Sequence, residues 1–290
     1  MLKAKAFAKV NLILKILSKR PDGFHDIDTI MQNISLYDDL TIEDFGDGIV
    51  VDCDDKSVPS GKLNICYKAA ELMMRISGKK GVKIGIRKRI PSGAGLGGGS
   101  SDAAAVLTAL NRLWSMGISS SKLLEIAAQL GSDVPFFLVG GRALCSGRGE
   151  IVKKLPDLQK IFFVLVKPAV SIPTKWAYEE FDRKASSGDA VSGYKCYGSK
   201  TGGIVCSEEA GAEYENDFEK VVLSEFPDIK KAKNALLSAG AGNALMTGSG
   251  SAVFGSAGSQ SEADMILSKI RPKYRDSFVV HTVNSPTELI

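Results

Sequence analysis

Pro91-Ser92-Gly93-Ala94-Gly95-Leu96-Gly97-Gly98-Gly99-Ser100-Ser101-Asp102-Ala103-Ala104 is the stretch that decides the architecture. Five of the seven residues from 93 to 99 are glycine. Upstream, Val82, Ile84 and Ile86 alternate toward Ile90 with the period of a strand, and Pro91 stops it. Downstream, Ala103, Val106, Leu107, Leu110 and Trp114 recur at helical spacing. A strand therefore feeds the loop and a helix leaves it. Glycines let the backbone approach a ligand closely, and the N–H groups of a helix N-terminus favour an anion. Ser100 and Ser101 are placed to cap that helix or to reach a phosphate or metal. Physically this is a phosphate cradle. The plainer alternative, a flexible turn with a serine cap, carries the entropy cost of so much glycine without return.

Two common phosphate loops do not fit. A Walker A loop needs Lys-Ser or Lys-Thr after its last glycine, and neither follows Gly98 or Gly99. Gly93-x-Gly95-x-x-Gly98 matches the dinucleotide fingerprint. That unit continues into a strand ending in an acidic residue about 20 positions on, whereas 113–125 reads as loop and helix.

At the N-terminus every even position from Leu2 to Ile16 is apolar, while Lys3, Lys5, Lys9, Asn11 and Lys15 occupy odd ones. Period two predicts a half-buried strand rather than a targeting helix. It also sets Lys9 and Asn11 side by side on the face away from the core. Arg20-Pro21-Asp22-Gly23 is a turn. Strands are expected over 40–43 and 49–52, and helices over 64–76 and 121–130. Asp133-Val134-Pro135 opens a short segment, and 142–155 reads as a hairpin. A second half begins near 155–160 with a buried strand over 161–167 and a helix from Pro173 to about 181. Residues 184–213, rich in Gly and Ser and without period, are expected to form a mobile loop. Helices over 217–224 and 228–239 follow, then short strands flanking Thr247-Gly248-Ser249-Gly250-Ser251. Ser259 and Glu262 fit a capping box before a last helix, and 278–283 a last strand.

Composition narrows the class. Of 290 residues, 44% are apolar and 24% charged, which excludes a disordered chain. A net charge of +4 is too mild for a nucleic-acid binder and suits an anionic small substrate. The five cysteines are scattered, odd in number and without a C-x-x-C pair, so a reducing cytoplasm is expected rather than a disulfide framework or zinc site. No apolar run approaches the ~18 residues of a membrane span.

Taken singly, the other candidates stay open. Lys9 has the reading of a solvated strand lysine. Asp133 is as good a helix N-cap as an acid. His25, Phe24 and Tyr178 have default readings as loop or core residues.

The glycine run resembles the ATP loop of the GHMP kinase superfamily. Ala8-Lys9-Val10-Asn11-Leu12, Arg20-Pro21-Asp22-Gly23-Phe24-His25, Leu130-Gly131-Ser132-Asp133-Val134-Pro135, Val170-Ser171-Ile172-Pro173-Thr174 and Met246-Thr247-Gly248-Ser249-Gly250 occur in order along nearly the whole chain. Together they are similar to the branch whose substrate is the cytidine diphosphate-linked methylerythritol of the non-mevalonate isoprenoid pathway. The resemblance implies an α+β protein of two lobes. A ribosomal S5 domain 2-like ATP-binding lobe would cover 1–155, and a ferredoxin-like GHMP C-terminal lobe 156–290. It implies an enzyme, a cytoplasmic small-molecule kinase that phosphorylates the substrate's 2-hydroxyl with ATP and Mg²⁺. By the same matching, Asp133 is the catalytic base and Lys9 the lysine beside it. Residues 91–101, namely Pro91, Ser92, Gly93, Ala94, Gly95, Leu96, Gly97, Gly98, Gly99, Ser100 and Ser101, would hold ATP together with Asn64 and Lys88. Asn11, Phe24, His25, Thr174, Tyr178, Thr247, Gly248, Ser249 and Gly250 would line the substrate side, with Phe24 and Tyr178 stacking the cytosine and His25 bonding its edge. The metal ligands are not assigned; Ser101 is one candidate, phosphates and water the other. The expected state is a monomer or weak homodimer with no nucleic-acid or membrane partner. A homoserine or mevalonate kinase would not need the Phe24, His25 and Tyr178 group. An RNA-binding protein on the S5-like fold would need a basic–aromatic stripe that the sequence lacks.

Overall fold

In the computed structural model of the chain, residues 1–186 and 214–290 are described. The loop expected over 184–213 lies, from 187 onward, outside the described residues. The elements run β1 (Leu2–Lys19), β2 (His25–Asp44), β3 (Gly48–Cys53), α1 (Ile65–Ser77), β4 (Gly81–Arg87), α2 (Gly98–Leu113), α3 (Ser120–Leu130), α4 (Val134–Val139), β5 (Arg142–Ser146) and β6 (Ile151–Lys154). They continue with β7 (Phe162–Val166), α5 (Thr174–Ser186), β8 (Glu215–Asn216), α6 (Glu219–Glu225), α7 (Pro227–Ala239), β9 (Ala244–Met246), β10 (Val253–Ala257), α8 (Gln260–Ile270), β11 (Ser277–His281) and β12 (Glu288–Leu289).

Two sheets form the α+β architecture. The first has the order β12-β1-β2-β4-β3, with β5 beside β2, β6 beside β5, and β8 beside β1. The second is antiparallel, β11-β7-β10-β9. The first sheet draws β8 and β12 from the later half of the chain, so both halves contribute to it. Its apolar face (Ala4, Ala6, Leu40, Ile84) packs on α1 and α2, whose Ala69, Ala70, Ala103, Ala104 and Ala105 let helix and sheet approach closely. In the second sheet, Val164, Val166 and Val253 pack on Ile229, Leu236 and Ile266 of α7 and α8. A third cluster joins the two sheets. Ala8, Val10 and Leu12 of β1 meet Ala94 and Leu96 of the glycine loop and Phe163, Leu165, Leu245 and Phe254 of the second sheet.

The burial of β1 corrects one expectation. Lys9 and Asn11 are not on a solvated face; they are 3% and 1% exposed. The second sheet packs on the other, apolar side of the strand, while the glycine loop at Gly95 and Gly97, Thr29, and Thr247 and Gly248 cover the face that alternation left for solvent. β2 is also far longer than the strand expected over 40–43. Its polar residues hid it, because Thr29, Gln32, Asn33 and Asp38 are buried and bonded to distant partners. α5 runs to Ser186 rather than stopping near 181, and Ser259 caps α8 as expected by accepting from the Glu262 N–H.

One buried ionic group ties the root of the glycine loop to the sheet. Lys88 Nζ donates to Asp38 Oδ2 (2.5 Å) and Asp102 Oδ2 (2.8 Å), while Asp38 Oδ1 accepts the N–H groups of Arg89 and Ile90. Burial alone would lower the Lys88 pKa, but Asp102 and Asp38 outweigh it and hold it above its ordinary value. Burial, reinforced by Asp38 and opposed by Lys88, pushes Asp102 up to about 8. Removing one member of such a group strands the others. Asp38→Ala should therefore lower unfolding free energy by about 3–5 kcal/mol, read from urea unfolding. A loss below about 1 kcal/mol would mean that water replaces the carboxylate at no cost.

Candidate functional site

The glycine loop separates two cavities and lines both. The first, about 570 Å³, is walled by Lys9, Asn11, Phe24, His25, Asp133, Thr174, Tyr178, Gly248 and Ser249. The second, about 500 Å³, is walled by Asn64, Lys88, Asp102 and residues 90–100. Gly95 and Gly97 belong to both walls.

The second cavity is built from backbone. Gly97 (φ +73°) caps α2, and the helix begins at Gly98, so the first amides of a 16-residue helix face this wall. The other predicted ATP residues gather here with qualifications. Asn64 caps α1, its Oδ1 accepting from Cys66 N–H at 2.8 Å and its Nδ2 donating to Pro59 carbonyl at 2.9 Å. Lys88 meets the cavity with its charge already matched by Asp38 and Asp102. Ser101 lies behind the wall, its hydroxyl donating to the Phe7 carbonyl at 2.7 Å. It is therefore not poised as a metal ligand, and no cluster of metal-binding side chains occurs among the described residues.

On the other side, β1 delivers Lys9 and Asn11. Lys9 Nζ donates to Asn11 Oδ1 (2.5 Å) and the Gly95 carbonyl (2.7 Å). Burial lowers the Lys9 pKa, with Asp133 and Cys145 pulling it back up. Asn11 Nδ2 donates to Thr29 (2.8 Å), which leaves one of its two N–H groups for a ligand. Thr247 Oγ1 accepts the Asn11 backbone N–H (3.0 Å), and its proton is shared between Asn11 Oδ1 and Gly95 carbonyl. The Thr174 and Ser249 hydroxyls bond each other at 3.0 Å. Gly250 closes the turn, its N–H on the Thr247 carbonyl. Asp133 occupies the N-cap position of α4 but makes no capping hydrogen bond. Its half-buried carboxylate faces the cavity instead.

The aromatic end differs from a plain pair of rings. His25, not a gap, lies against Tyr178, with centroids 4.5 Å apart and planes at 15°. His25 Nε2 donates to Asp182 Oδ1 (2.7 Å), which in a neutral ring leaves Nδ1 as an acceptor. Asp182 also takes Lys19 Nζ (2.7 Å). Burial raises Asp182, but the bonds from Lys19 and His25 outweigh it and hold the carboxyl below its usual range. Phe24 is 51% exposed, with the Arg148 guanidinium 4.8 Å from its ring centre. The sequence reading missed Asp182 and Arg148. Asp182 stands four residues after Tyr178 on one helix face, a spacing that signals it. Arg148 sits between Gly147 and Gly149 in a hairpin, with no local signal.

Known proteins resemble this chain over most of its length. The family model for the GHMP kinases N terminal domain matches residues 64–141, and that for the GHMP kinases C terminal region matches 207–276. The 4-diphosphocytidyl-2-C-methyl-D-erythritol kinase of Acaryochloris marina is 39% identical over 285 residues, covering 94% of this chain and 92% of its own. The enzyme of the same name from Geobacter sp. is 42% identical over 252 residues, covering 86% of each. A crystal structure of 4-(cytidine 5'-diphospho)-2C-methyl-D-erythritol kinase superposes with a TM-score of 0.78 at 32% identity, covering 98% of this chain and 100% of the other. A homoserine kinase from Cytophaga hutchinsonii shares the fold, with a TM-score of 0.72 at 20% identity, covering 100% of this chain and 97% of the other.

The partition between the cavities needs a glycine. Gly95 has φ +76°, and a Cβ there would lie 2.2 Å from the Thr247 carbonyl oxygen. Gly95→Ala should cost about 2–4 kcal/mol, from overpacking plus the left-handed backbone. Gly78→Ala, at φ +69° with nothing within 4 Å, should cost only about 1 kcal/mol. Equal losses in urea unfolding would show that the Thr247 contact yields freely.

Proposed function

The chain belongs to the GHMP kinases, in the branch of the 4-diphosphocytidyl-2-C-methyl-D-erythritol kinases, and from that premise we propose how its two cavities carry the reaction. It is a small-molecule kinase that uses ATP. The reaction moves the terminal phosphoryl group of ATP to the 2-hydroxyl of 4-diphosphocytidyl-2-C-methyl-D-erythritol. The observation that carries the residue roles is the shared wall. A phosphate chain in the second cavity and an alcohol in the first meet at Gly95 and Gly97, where Lys9 and Asp133 stand.

ATP lies along the glycine loop, its adenosine toward Asn64 and Lys88 and its phosphates on the amides at the start of α2. Magnesium arrives with the nucleotide as part of the second substrate and supplies charge neutralisation at the phosphates. With Ser101 engaged by Phe7, phosphate and water would hold the ion. Lys9, fixed by Asn11 and Gly95, sets one positive charge at the partition, where negative charge gathers on the moving phosphoryl group. Asp133 accepts the hydroxyl proton as the new P–O bond forms and the bond to ADP breaks. The hydroxyls of Thr174 and Ser249 and the Gly248 backbone orient the erythritol and diphosphate.

The cytidine end rests among Phe24, His25 and Tyr178. Asp182 fixes the His25 ring so that Nδ1 is offered to the exocyclic amine of cytosine. Phe24, half-exposed beneath the Arg148 guanidinium, supplies the ring for the other face of the base. Since His25 lies against one face of Tyr178, the base takes Phe24 and the His25–Tyr178 pair as its two walls. The scattered cysteines support a cytoplasmic site of action, and the mild charge supports the absence of a nucleic-acid partner. No helix among the described residues is long and apolar enough to cross a membrane. A monomer or weak homodimer completes the reading.

The test is a coupled ADP-release assay with Mg-ATP, comparing the cytidyl substrate with homoserine and mevalonate. Turnover with the cytidyl compound alone is expected. Turnover with another alcohol would discard the pocket assignment. Asp133→Asn should lower kcat by about 10²–10⁴-fold while both ligands still bind, and undiminished turnover would remove Asp133 as the base. Phe24→Ala should raise KM for the cytidyl substrate on the order of tenfold and spare ATP, because base stacking is worth about 1–3 kcal/mol. Equal loss for both ligands would make Phe24 a fold residue.

A further inference from the structure

β8 is two residues long, yet it touches both halves of the reaction centre. Glu215 and Asn216 pair in parallel with Ile13 and Leu14 of β1, just beyond Asn11. The Asp217 N–H donates to the Leu14 carbonyl, and Asp217 Oδ2 accepts the Ile16 N–H at 2.8 Å. Asn216 faces the other way, into the Thr247 loop. Its Nδ2 donates to the Met246 carbonyl (2.7 Å) and the Gly248 carbonyl (2.8 Å), and its Oδ1 accepts the Phe218 N–H (3.0 Å). The side chain is 3% exposed, and every hydrogen of its amide nitrogen is in use.

These bonds determine more than local structure. Between the two carbonyls held by Asn216 lies Thr247, whose hydroxyl contacts Asn11 and the Gly95 carbonyl. A Cβ on Gly248 would stand 3.5 Å from Lys9 Nζ. We infer that Asn216 is a positioning residue for phosphoryl transfer. It holds the Thr247–Gly248 backbone against Asn11 and Lys9, while Asp217 holds the strand that carries them. The inference rests on the kinase reading of the site. Asn216 touches neither ligand; it acts through Thr247, Gly248 and Lys9.

Only asparagine fits all three bonds. Two carbonyls need two donors on one atom, and the Phe218 amide needs an acceptor on the other. Aspartate would set a carboxylate oxygen against two carbonyl oxygens. Protonated, it would recover one donor. The charged groups around this point are paired: Lys15 with Glu215, Lys220 with Asp217, and Lys233 with Glu219, whose other oxygen accepts the Met246 N–H. Lys9 lies beyond Gly248.

The experiment measures kcat and both KM values for Asn216→Ala and Asn216→Asp, with hydrogen exchange across 246–250. In Asn216→Ala, kcat should fall about tenfold or more, while KM for each substrate stays within about twofold. Displacement of reacting groups by about 1 Å costs on the order of 10²-fold. Exchange at Thr247 and Gly250 should rise. Relative to the native chain, Asn216→Asp should be slow near about pH 8 and recover toward about pH 6, as the buried carboxylate takes a proton. A kcat like that of the native chain, equal rises in both KM values, or an aspartate defect independent of pH would overturn the inference. If alanine and aspartate both prevent folding, Asn216→Ser, which keeps one donor, repeats the kcat measurement; if it also fails to fold, Asn216 is a folding residue and the inference is wrong. A native chain without turnover would fail the reaction assignment instead, and unchanged exchange over 246–250 would then still overturn the positioning role.

Discussion

The structure depends on one close approach, that of Gly95 to the Thr247 carbonyl. No side chain fits between them. At the same point the Gly95 carbonyl accepts the Lys9 ammonium, and the neighbouring Leu96 carbonyl accepts the Lys9 backbone N–H at 3.0 Å. The Ala94 carbonyl accepts the N–H of Ala252 from the second lobe at 3.1 Å. Three consecutive residues of the glycine loop thus bond to β1 and to the loop between β9 and β10. The two lobes are joined at the wall that the two cavities share, so the geometry of that wall and the packing of the lobes are a single problem.

The two sides solve their binding problems differently. The second cavity is built from backbone: glycines, a helix N-terminus and a proline stop. Its one lysine is matched inside the wall by two carboxylates, so it shapes the floor more than it attracts phosphate. The first cavity is built from side chains, several of them buried and polar. Lys9, Asn11, Thr29 and Thr247 form one connected network, in which Lys9 bonds its strand neighbour Asn11, and Asn11 bonds Thr29 and Thr247 from other segments. A buried ammonium among neutral acceptors is costly unless each proton finds a partner. Here the cost is offset by the carbonyl of Gly95, the amide of Asn11 and the field of Asp133.

The same logic orders the aromatic end of the first cavity. A histidine that must face one way is fixed by Asp182 and backed by Tyr178, and Lys19 neutralises the aspartate from outside. The exposed Phe24 is the unfixed part, resting under Arg148.

Much of this was legible in residue order alone. The strand, glycine run and helix over 82–114 follow from period and composition, because those signals are local. The alternation of β1, the Ser259 cap and the short strands around Thr247 are local too. The order of motifs from Lys9 to Gly250 was enough to reach the kinase family. What residue order could not supply was contact between segments. The alternation of β1 left Lys9 and Asn11 on an open face, and only the glycine loop and the Thr247 loop folding back onto the strand bury them. The polar residues of β2 concealed its length, because their partners lie up to 251 positions away, as with Gln32 and Val283. Nothing in residue order shows that Phe7 holds the Ser101 hydroxyl or that Asp38 and Asp102 match the charge of Lys88. Asn216 carries no sequence signal for its role, since three hydrogen bonds to one side chain exist only when β8, α6 and the Thr247 loop are brought together. Periodicity reports what each segment buries, and only the tertiary structure decides which polar groups those burials bring within bonding distance.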